Sequence, residues 1–378
     1  MAGLYIHIPF CRHKCHYCNF HFSTSLKSIA GMLSSIKAEI ALRSRELHGE
    51  RIETIYFGGG TPSLIGVNEI EKILTTIRSN YILSKDVEIS IEINPEDVTN
   101  ERVACWKSMG INRASVGVQS FSDSDLLWMN RKHSGEQAIE SIKVLKEQGF
   151  KKLSIDLIYG IPTSEKSTFR SNIKKAIDLE VGHISAYMLT VEPNTALDHL
   201  IQKNKCKEMD EELVLEQFVY LKRELEAEGF EQYELSSFAK ADHRSRHNTS
   251  YWQFIPYLGF GPSAHSFTPG EPAIRRWNVS SNSAYIKGIE SGLDYFEEEK
   301  LEARDIYNEY IMTSLRTWQG IDLSFVKARF DKSYVDYLVS SLNRAIEKEQ
   351  IVFKNNHYHL HRNALMKADS VIADLFVV

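Results

Sequence analysis

The chain has 378 residues, 43% hydrophobic and 25% charged, which is enough to bury a core over two or three domains without disulfide staples. That composition excludes a disordered, collagenous or coiled-coil chain. With 45 basic against 50 acidic residues, the net charge of −5 also excludes a protein that lives by counterion release on nucleic acid.

Six short runs rich in Ile, Val, Tyr or Phe occur before residue 190, at 4–10, 54–57, 87–94, 113–120, 152–159 and 183–190. Between them apolar residues recur at steps of three and four, as in Leu26, Ile29, Leu33, Ile36 and Ile40, which share one helical face. Similar amphipathic stretches fill 69–77, 136–148, 166–179 and 211–228. Alternating β and α units predict a parallel sheet flanked by helices, either an open doubly wound sheet or a partial barrel. In both, function gathers at the C-terminal edge of the strands.

From about residue 233 to 277 the chain reads as helix-poor and aromatic, and a covering segment is expected there. After the acidic run at 297–300 helical patterns return over 306–315 and 334–348, closed by an alternating pair around 351–360. Helices followed by a small hairpin predict a separate winged-helix-like domain. The expected divisions are 1–230, 231–294 and 295–378. No apolar run reaches the ~18 residues needed to cross a bilayer, so no integral membrane segment is expected. The N-terminal MAGLYIHIPFC lacks the basic and long apolar regions of a secretory signal, which makes the expected location cytoplasmic.

Five cysteines are too few and too uneven for a secreted disulfide framework, because Cys11, Cys15 and Cys18 fall within eight residues. Three thiolates on one tight loop can hold three irons of a [4Fe–4S] cubane and leave the fourth iron open to a small molecule. Cys15-x-x-Cys18, with His13, His16 and His21 nearby, is also a zinc-knuckle spacing. A closed zinc site usually draws a second ligand pair from further along, whereas Cys105 and Cys206 stand alone and receive no role. The second run leads into Gly58-Gly59-Gly60-Thr61-Pro62, where the backbone can approach a charged ligand closely or simply end a strand.

HIPFCRHKCHYC, with an aromatic before the third cysteine, followed by YFGGGTP, resembles the radical S-adenosylmethionine (SAM) superfamily. IEINPE, SVGVQSF, DLIYGIP and EYIMTSLRT…GID extend the resemblance end to end to the oxygen-independent coproporphyrinogen III dehydrogenases and their sister group, the HemW heme chaperones. The resemblance implies an α/β fold, a partial (β/α)6 TIM-like barrel with a smaller C-terminal winged-helix-like domain. It implies Cys11, Cys15 and Cys18 as ligands of a [4Fe–4S] cluster. Gly59, Gly60 and Thr61 become SAM contacts, as do Tyr5 and Tyr17, which flank the cluster loop. Glu92, Gln119 and Asp156 sit at predicted strand ends and Arg131 in MNRKHS; all four are implied SAM contacts. The carboxylates suit ribose hydroxyls or an ammonium group, and Arg131 suits a carboxylate.

The dehydrogenases carry a fourth cysteine two residues after the third, where this chain has Phe20, and an N-terminal arm ahead of the first strand, which here begins at about Leu4. Both departures point to the heme chaperones. Those share a His-Asn-x-x-Tyr-Trp motif, present as His247 to Trp252, which implies His247 as an axial heme ligand and Tyr251 and Trp252 as macrocycle contacts; Arg244 and Arg246 read first as an exposed basic loop and only second as propionate partners. The implied cofactors are a [4Fe–4S] cluster, SAM and heme. The implied partners are heme-accepting apo-proteins and, if SAM is cleaved, a flavodoxin or ferredoxin as electron donor. The alternative is an enzyme that converts coproporphyrinogen III to protoporphyrinogen IX.

Overall fold

The computed structural model describes every residue except Glu208. Six β–α units form in chain order: β1 (Ala2–Ile8) and α1 (Ile29–Leu42), β2 (Ile52–Gly59) and α2 (Val67–Asn80), β3 (Leu83–Ile93) and α3 (Asn100–Ser108), then β4 (Arg113–Gln119) with α4 (Asp123–Trp128) and α5 (Gly135–Glu147). They continue with β5 (Lys152–Tyr159) and α6 (Lys166–Asp178), and β6 (His183–Met188) with α7 (Ala196–Gln202) and α8 (Glu211–Ala227). The six strands pair in parallel in sequence order, from Tyr5 beside Tyr56 to Asp156 beside Ser185.

Alternation sorts each strand into two faces. Leu4, Ile6, Ile55, Phe57, Ile89, Ile91, Val116, Ile155 and Ile184 join one large core with the helices. Ile70, Ile73, Leu74 and Ile77 of α2 supply part of the helical side, each worth about 1.5–3 kcal/mol on burial. The other face of the strands is polar: Tyr5 and His7, Thr54 and Tyr56, Ser90 and Glu92, Arg113 and Ser115, Ser154 and Asp156, His183 and Ser185. A cavity of only about 50 Å³ touches residues of β2, β3, β4, β5 and β6 together. Strands lie about 4.8 Å apart, so a flat sheet could not bring five of them to so small a space. The sheet therefore curls into an arc with the polar face inside.

The expected covering segment instead extends this sheet on both flanks. β8 (Ser237–Ala239) adds antiparallel to β6, and β7 (Glu231–Gln232) adds antiparallel to β8. After the short α9 (Arg246–Trp252), β9 (Tyr257–Phe260) runs parallel to β1, and β10 (His265–Thr268), β11 (Ala273–Asn278) and β12 (Phe296–Leu301) follow antiparallel, with α10 (Asn282–Ser291) between the last two. The order is β12-β11-β10-β9-β1-β2-β3-β4-β5-β6-β8-β7, so the sheet ends at β12 and β7 and the barrel stays open. α1 is tied to the added strands by a buried network: Arg43 pairs with Glu39 (3.1 Å) and donates to the Gly259 carbonyl (2.8 Å) and the Ser266 hydroxyl (3.1 Å).

A second core, centred on Tyr307, Ile311, Leu338, Leu342 and Val371, organises the C-terminal region. It is built from α11 (Ala303–Leu315), α12 (Leu323–Arg329), α13 (Lys332–Glu347), the hairpin β13 (Ile351–Lys354) and β14 (His357–Leu360), and α14 (Ala368–Ala373). Three helices closed by a two-stranded wing match the expected texture. Among the described residues, no helix is long and apolar enough to cross a membrane.

Candidate functional site

A cavity of about 380 Å³ opens at the C-terminal end of the parallel strands, within the size range of small-molecule sites. Cys11, Cys15 and Cys18 line it from the loop that follows β1. That loop is held by polar contacts and by Tyr17, which packs against a small apolar cluster that includes Leu126, Met129 and Leu197. Cys11 donates its amide to the Ser23 carbonyl (3.1 Å) and His16 to that of Met129 (3.1 Å), while Asn130 Nδ2 donates to the Lys14 carbonyl (2.7 Å). Arg12 pairs with the buried Asp97.

Two donors point at the sulfurs. Thr61 Oγ1 lies 3.5 Å from Cys11 Sγ, and Arg131 Nη1 lies 3.6 Å from Cys15 Sγ. Burial pushes the Cys11 thiol up to about 11 and raises that of Cys18 as well. Such thiols give up their protons when a cation binds them. Among the described residues no three His, Cys, Asp or Glu side chains converge where a single metal ion could sit, as a zinc knuckle requires. Three separated sulfurs around one cavity, with donors directed at two of them, fit instead a cubane, in which each thiolate meets a different iron.

The opposite wall carries two half-buried carboxylates. Glu92 accepts from the Tyr56 hydroxyl (2.9 Å) and the Gly59 amide (3.1 Å). Burial, with Asp156 nearby, pushes its pKa up to about 7, against the two hydrogen bonds. Burial likewise lifts Asp156 to about 6, while hydroxyls of Ser185 and Ser115 hold it down. Both are lining residues, so ionisable groups with raised pKa values stand in a cleft, a recurrent mark of a functional site.

The glycine run has a structural reason that needs no ligand. A Cβ on Gly59, whose φ is +109°, would lie 2.6 Å from the His7 ring, and one on Gly60 would lie 2.7 Å from the Phe10 carbonyl oxygen. The end of β1 passes so close that only glycine fits. Gln119 ends β4 with φ at 66°, the left-handed region that residues other than glycine adopt uncommonly, after a register irregularity that begins at Val116. It lines the cavity, as do Tyr17, Gly59, Gly60, Thr61 and Arg131.

Some residues singled out in the sequence stand in surroundings the sequence does not suggest. Arg131 Nη2 is engaged by Asn94 Oδ1 and the Gly117 carbonyl, both at 2.8 Å, so the guanidinium braces the cavity wall rather than offering both terminal nitrogens to a carboxylate. Tyr5 is not among the lining residues; its hydroxyl meets His7 Nδ1 (3.0 Å) and its ring packs beside Tyr56, one layer below. His247 is 1% exposed, with Nδ1 at 2.7 Å from Thr54 Oγ1 and Nε2 at 2.8 Å from the Tyr251 hydroxyl, and burial lowers its pKa to about 3. An imidazole so enclosed has no free nitrogen for heme iron. Arg244 pairs with Glu231, and Arg246 with Glu53 and Asp86, so neither is an unpaired propionate partner. Sequence reasoning missed Asn94, Ser115 and Tyr187, which also line the cavity. Asn94 lay inside the quoted IEINPE and was signalled; Ser115 shares its inward register with Ser154 on β5.

A family model for the Radical SAM superfamily matches residues 5–176, and one for the HemN C-terminal domain matches residues 301–366. The fold is shared with the solved structure of coproporphyrinogen III oxidase (HemN) from Escherichia coli, with a TM-score of 0.84 at 21% identity, covering 100% of this chain and 90% of that one. Fold and matched segments thus define a radical SAM barrel with a HemN-type C-terminal domain. The chain is 31% identical over 374 residues to the heme chaperone HemW of Bacillus subtilis, covering 97% of each, and 32% identical over 372 residues to that of Haemophilus influenzae, covering 96% of this chain and 92% of the relative. It belongs to the HemW family.

Proposed function

We propose that this protein is a cytosolic heme chaperone that binds a [4Fe–4S] cluster, SAM and heme, and delivers heme to apo-haemoproteins. The observation that carries this reading is kinship along nearly the whole chain with proteins named as heme chaperones, together with three cysteines around one cavity. Cys11, Cys15 and Cys18 hold the cluster, which when bound supplies an open iron for the methionine end of SAM and, with a flavodoxin or ferredoxin as donor, an electron for its cleavage. Gly59, Gly60 and Thr61 border the SAM site, Glu92 and Asp156 face its hydroxyl and ammonium groups, and Gln119 and Tyr17 complete the wall. Arg131 steadies Cys15 and Asn94. His247 is not carried forward as the heme ligand.

The shared HemN fold favours one competing reading, oxidation of coproporphyrinogen III. Phe20, where that group has a fourth cysteine, lines the cavity and is 69% exposed, which leaves no thiol at the position. Anaerobically reconstituted protein is loaded with heme and mixed with a candidate apo-protein, with and without SAM. Transfer is expected, with no protoporphyrinogen IX formed from coproporphyrinogen III. Porphyrinogen turnover without heme uptake would sink the chaperone reading.

A further inference from the structure

The His247 to Trp252 motif has no place on the cavity wall, yet the protein builds it into the bottom of the same barrel. Glu88, itself buried, accepts from the backbone amides of Arg246 (2.9 Å) and His247 (3.3 Å) and so pins the start of α9 to β3. With both ring nitrogens hydrogen-bonded, the His247 ring has one orientation. β1 makes room for it: a Cβ on Gly3 would lie 2.9 Å from Thr54 Oγ1 and 3.4 Å from the ring.

The fixed imidazole lies nearly flat on Tyr56, with ring centroids 5.0 Å apart and 19° between the planes, while Tyr251 meets its edge at 4.9 Å. Tyr56 carries the contact upward, since its hydroxyl donates to Glu92 Oε1 (2.9 Å). Glu92 is not wedged in place by apolar packing. Above it lies the 380 Å³ cavity, and below it the 50 Å³ chamber, bordered by Asn248 of α9, where Ser90 Oγ and Arg113 Nη2 lack partners. Its pose therefore rests on the Tyr56 hydroxyl and the Gly59 amide.

We propose that His247 is a positioning residue for the cavity: its ring, locked at both nitrogens, fixes Tyr56, and Tyr56 holds the Glu92 carboxylate in its binding pose. That SAM is the ligand served rests on the reading above; the hold on Glu92 does not. The motif then acts from beneath, on the SAM site, rather than as a heme ligand.

The sign of the effect follows from the neighbours. Glu92 is faced by Tyr56 from β2, Asp156 from β5, Tyr5 from β1, Tyr187 from β6 and Tyr251 from α9, with Arg113 of β4 across the chamber and Arg131 across the cavity. Burial and Asp156 favour its protonated form, and the Tyr56 hydroxyl opposes them by donating to the carboxylate. Losing that donor raises the midpoint, so Glu92 becomes protonated at neutral pH and a cationic ligand binds less well.

The test titrates Glu92 directly. Cluster-free protein carrying ¹³C-glutamate is followed by carbon NMR, with the Glu92 signal assigned by its loss in Glu92→Gln. A wild-type midpoint near 7 is expected. Tyr56→Phe and His247→Ala are each expected to raise it by about one unit, and His247→Phe, which keeps a ring against Tyr56, to return it toward wild type. SAM affinity of reconstituted protein at neutral pH should fall in the same order and recover in more alkaline buffer. A midpoint unchanged in His247→Ala, or in Tyr56→Phe, overturns the proposal, the more so if His247→Ala has lost heme binding. Should the alanine variant fail to fold, Tyr56→Phe and His247→Phe still decide. Shifted midpoints in a wild type and variants that bind no SAM would uphold the positioning and defeat the reading of the cavity.

Discussion

Gly60 is the residue at which fold and site meet most tightly. Its hypothetical Cβ faces three backbone atoms, the Phe10 oxygen and nitrogen and the Ile8 oxygen, at 2.7, 2.8 and 2.9 Å. Backbone cannot rotate aside as a side chain can, so relief requires moving the start of the cysteine loop away from β2. Gly60→Ala is expected to lower stability by about 1–3 kcal/mol through overpacking and to reduce iron uptake on anaerobic reconstitution. Gly66→Ala is the control, since nothing lies within 4 Å of its hypothetical Cβ and its φ of −63° suits any residue. Thermal midpoint and iron content of the two variants check this, and equal behaviour would show that β1 and β2 have slack at the site. The glycine run thus serves packing first, and only the freedom that remains is left for a ligand.

At the scale of elements, α1 owes its place to a charged pair as much as to its apolar stripe. Glu39 is fully buried, and besides Arg43 it accepts from Asn278 Nδ2 (2.9 Å), the Gly261 amide (2.9 Å) and the Tyr285 hydroxyl (2.6 Å). Arg43→Met leaves that carboxylate without a counter-charge and is expected to cost about 3–5 kcal/mol. Adding Glu39→Gln should recover part of the loss, and denaturant midpoints of the single and double variants measure the coupling. This pair was not legible in the sequence, because Glu and Arg four residues apart are usual on solvent-facing helix surfaces. The six parallel strands were legible, since each alternates apolar residues toward the helices with polar ones toward the interior. The flanking strands β7 to β12 were not: they are two to six residues long and lie at or near the sheet's edges, where alternation is brief. Strand-end polar residues such as Glu92 and Asp156 could be assigned to the mouth of the barrel from their motifs. Tyr5 and His247 lie deeper in the barrel than their motifs suggest, for a physical reason. Pattern reveals which face of a strand or helix a residue occupies, but not how deep along the barrel axis it lies.

Over the whole molecule, two cores share one chain. The barrel core and the C-terminal core meet through backbone links such as the Leu235 amide on the Arg316 carbonyl (3.0 Å) and the Trp318 amide on the Tyr233 carbonyl (3.2 Å), through the Arg275–Glu309 ion pair (2.8 Å), and through Ile306, Leu365 and Met366, which pack against the barrel side. The acidic run near residue 297, read as a boundary in the sequence, falls on β12, the last strand of the big sheet, just before α11 begins. Each core has its own apolar centre, so the two are expected to open separately when one is weakened. Leu338 is fully buried in the smaller core, so Leu338→Ala is expected to cost about 2–5 kcal/mol there. Hydrogen exchange followed by mass spectrometry should then show faster exchange across α11, α13 and α14, with the amides of β1 to β6 unchanged. Equal acceleration in the barrel strands would mean that the two cores unfold as one, and that the C-terminal domain is a structural buttress of the cavity rather than a unit hung beside it.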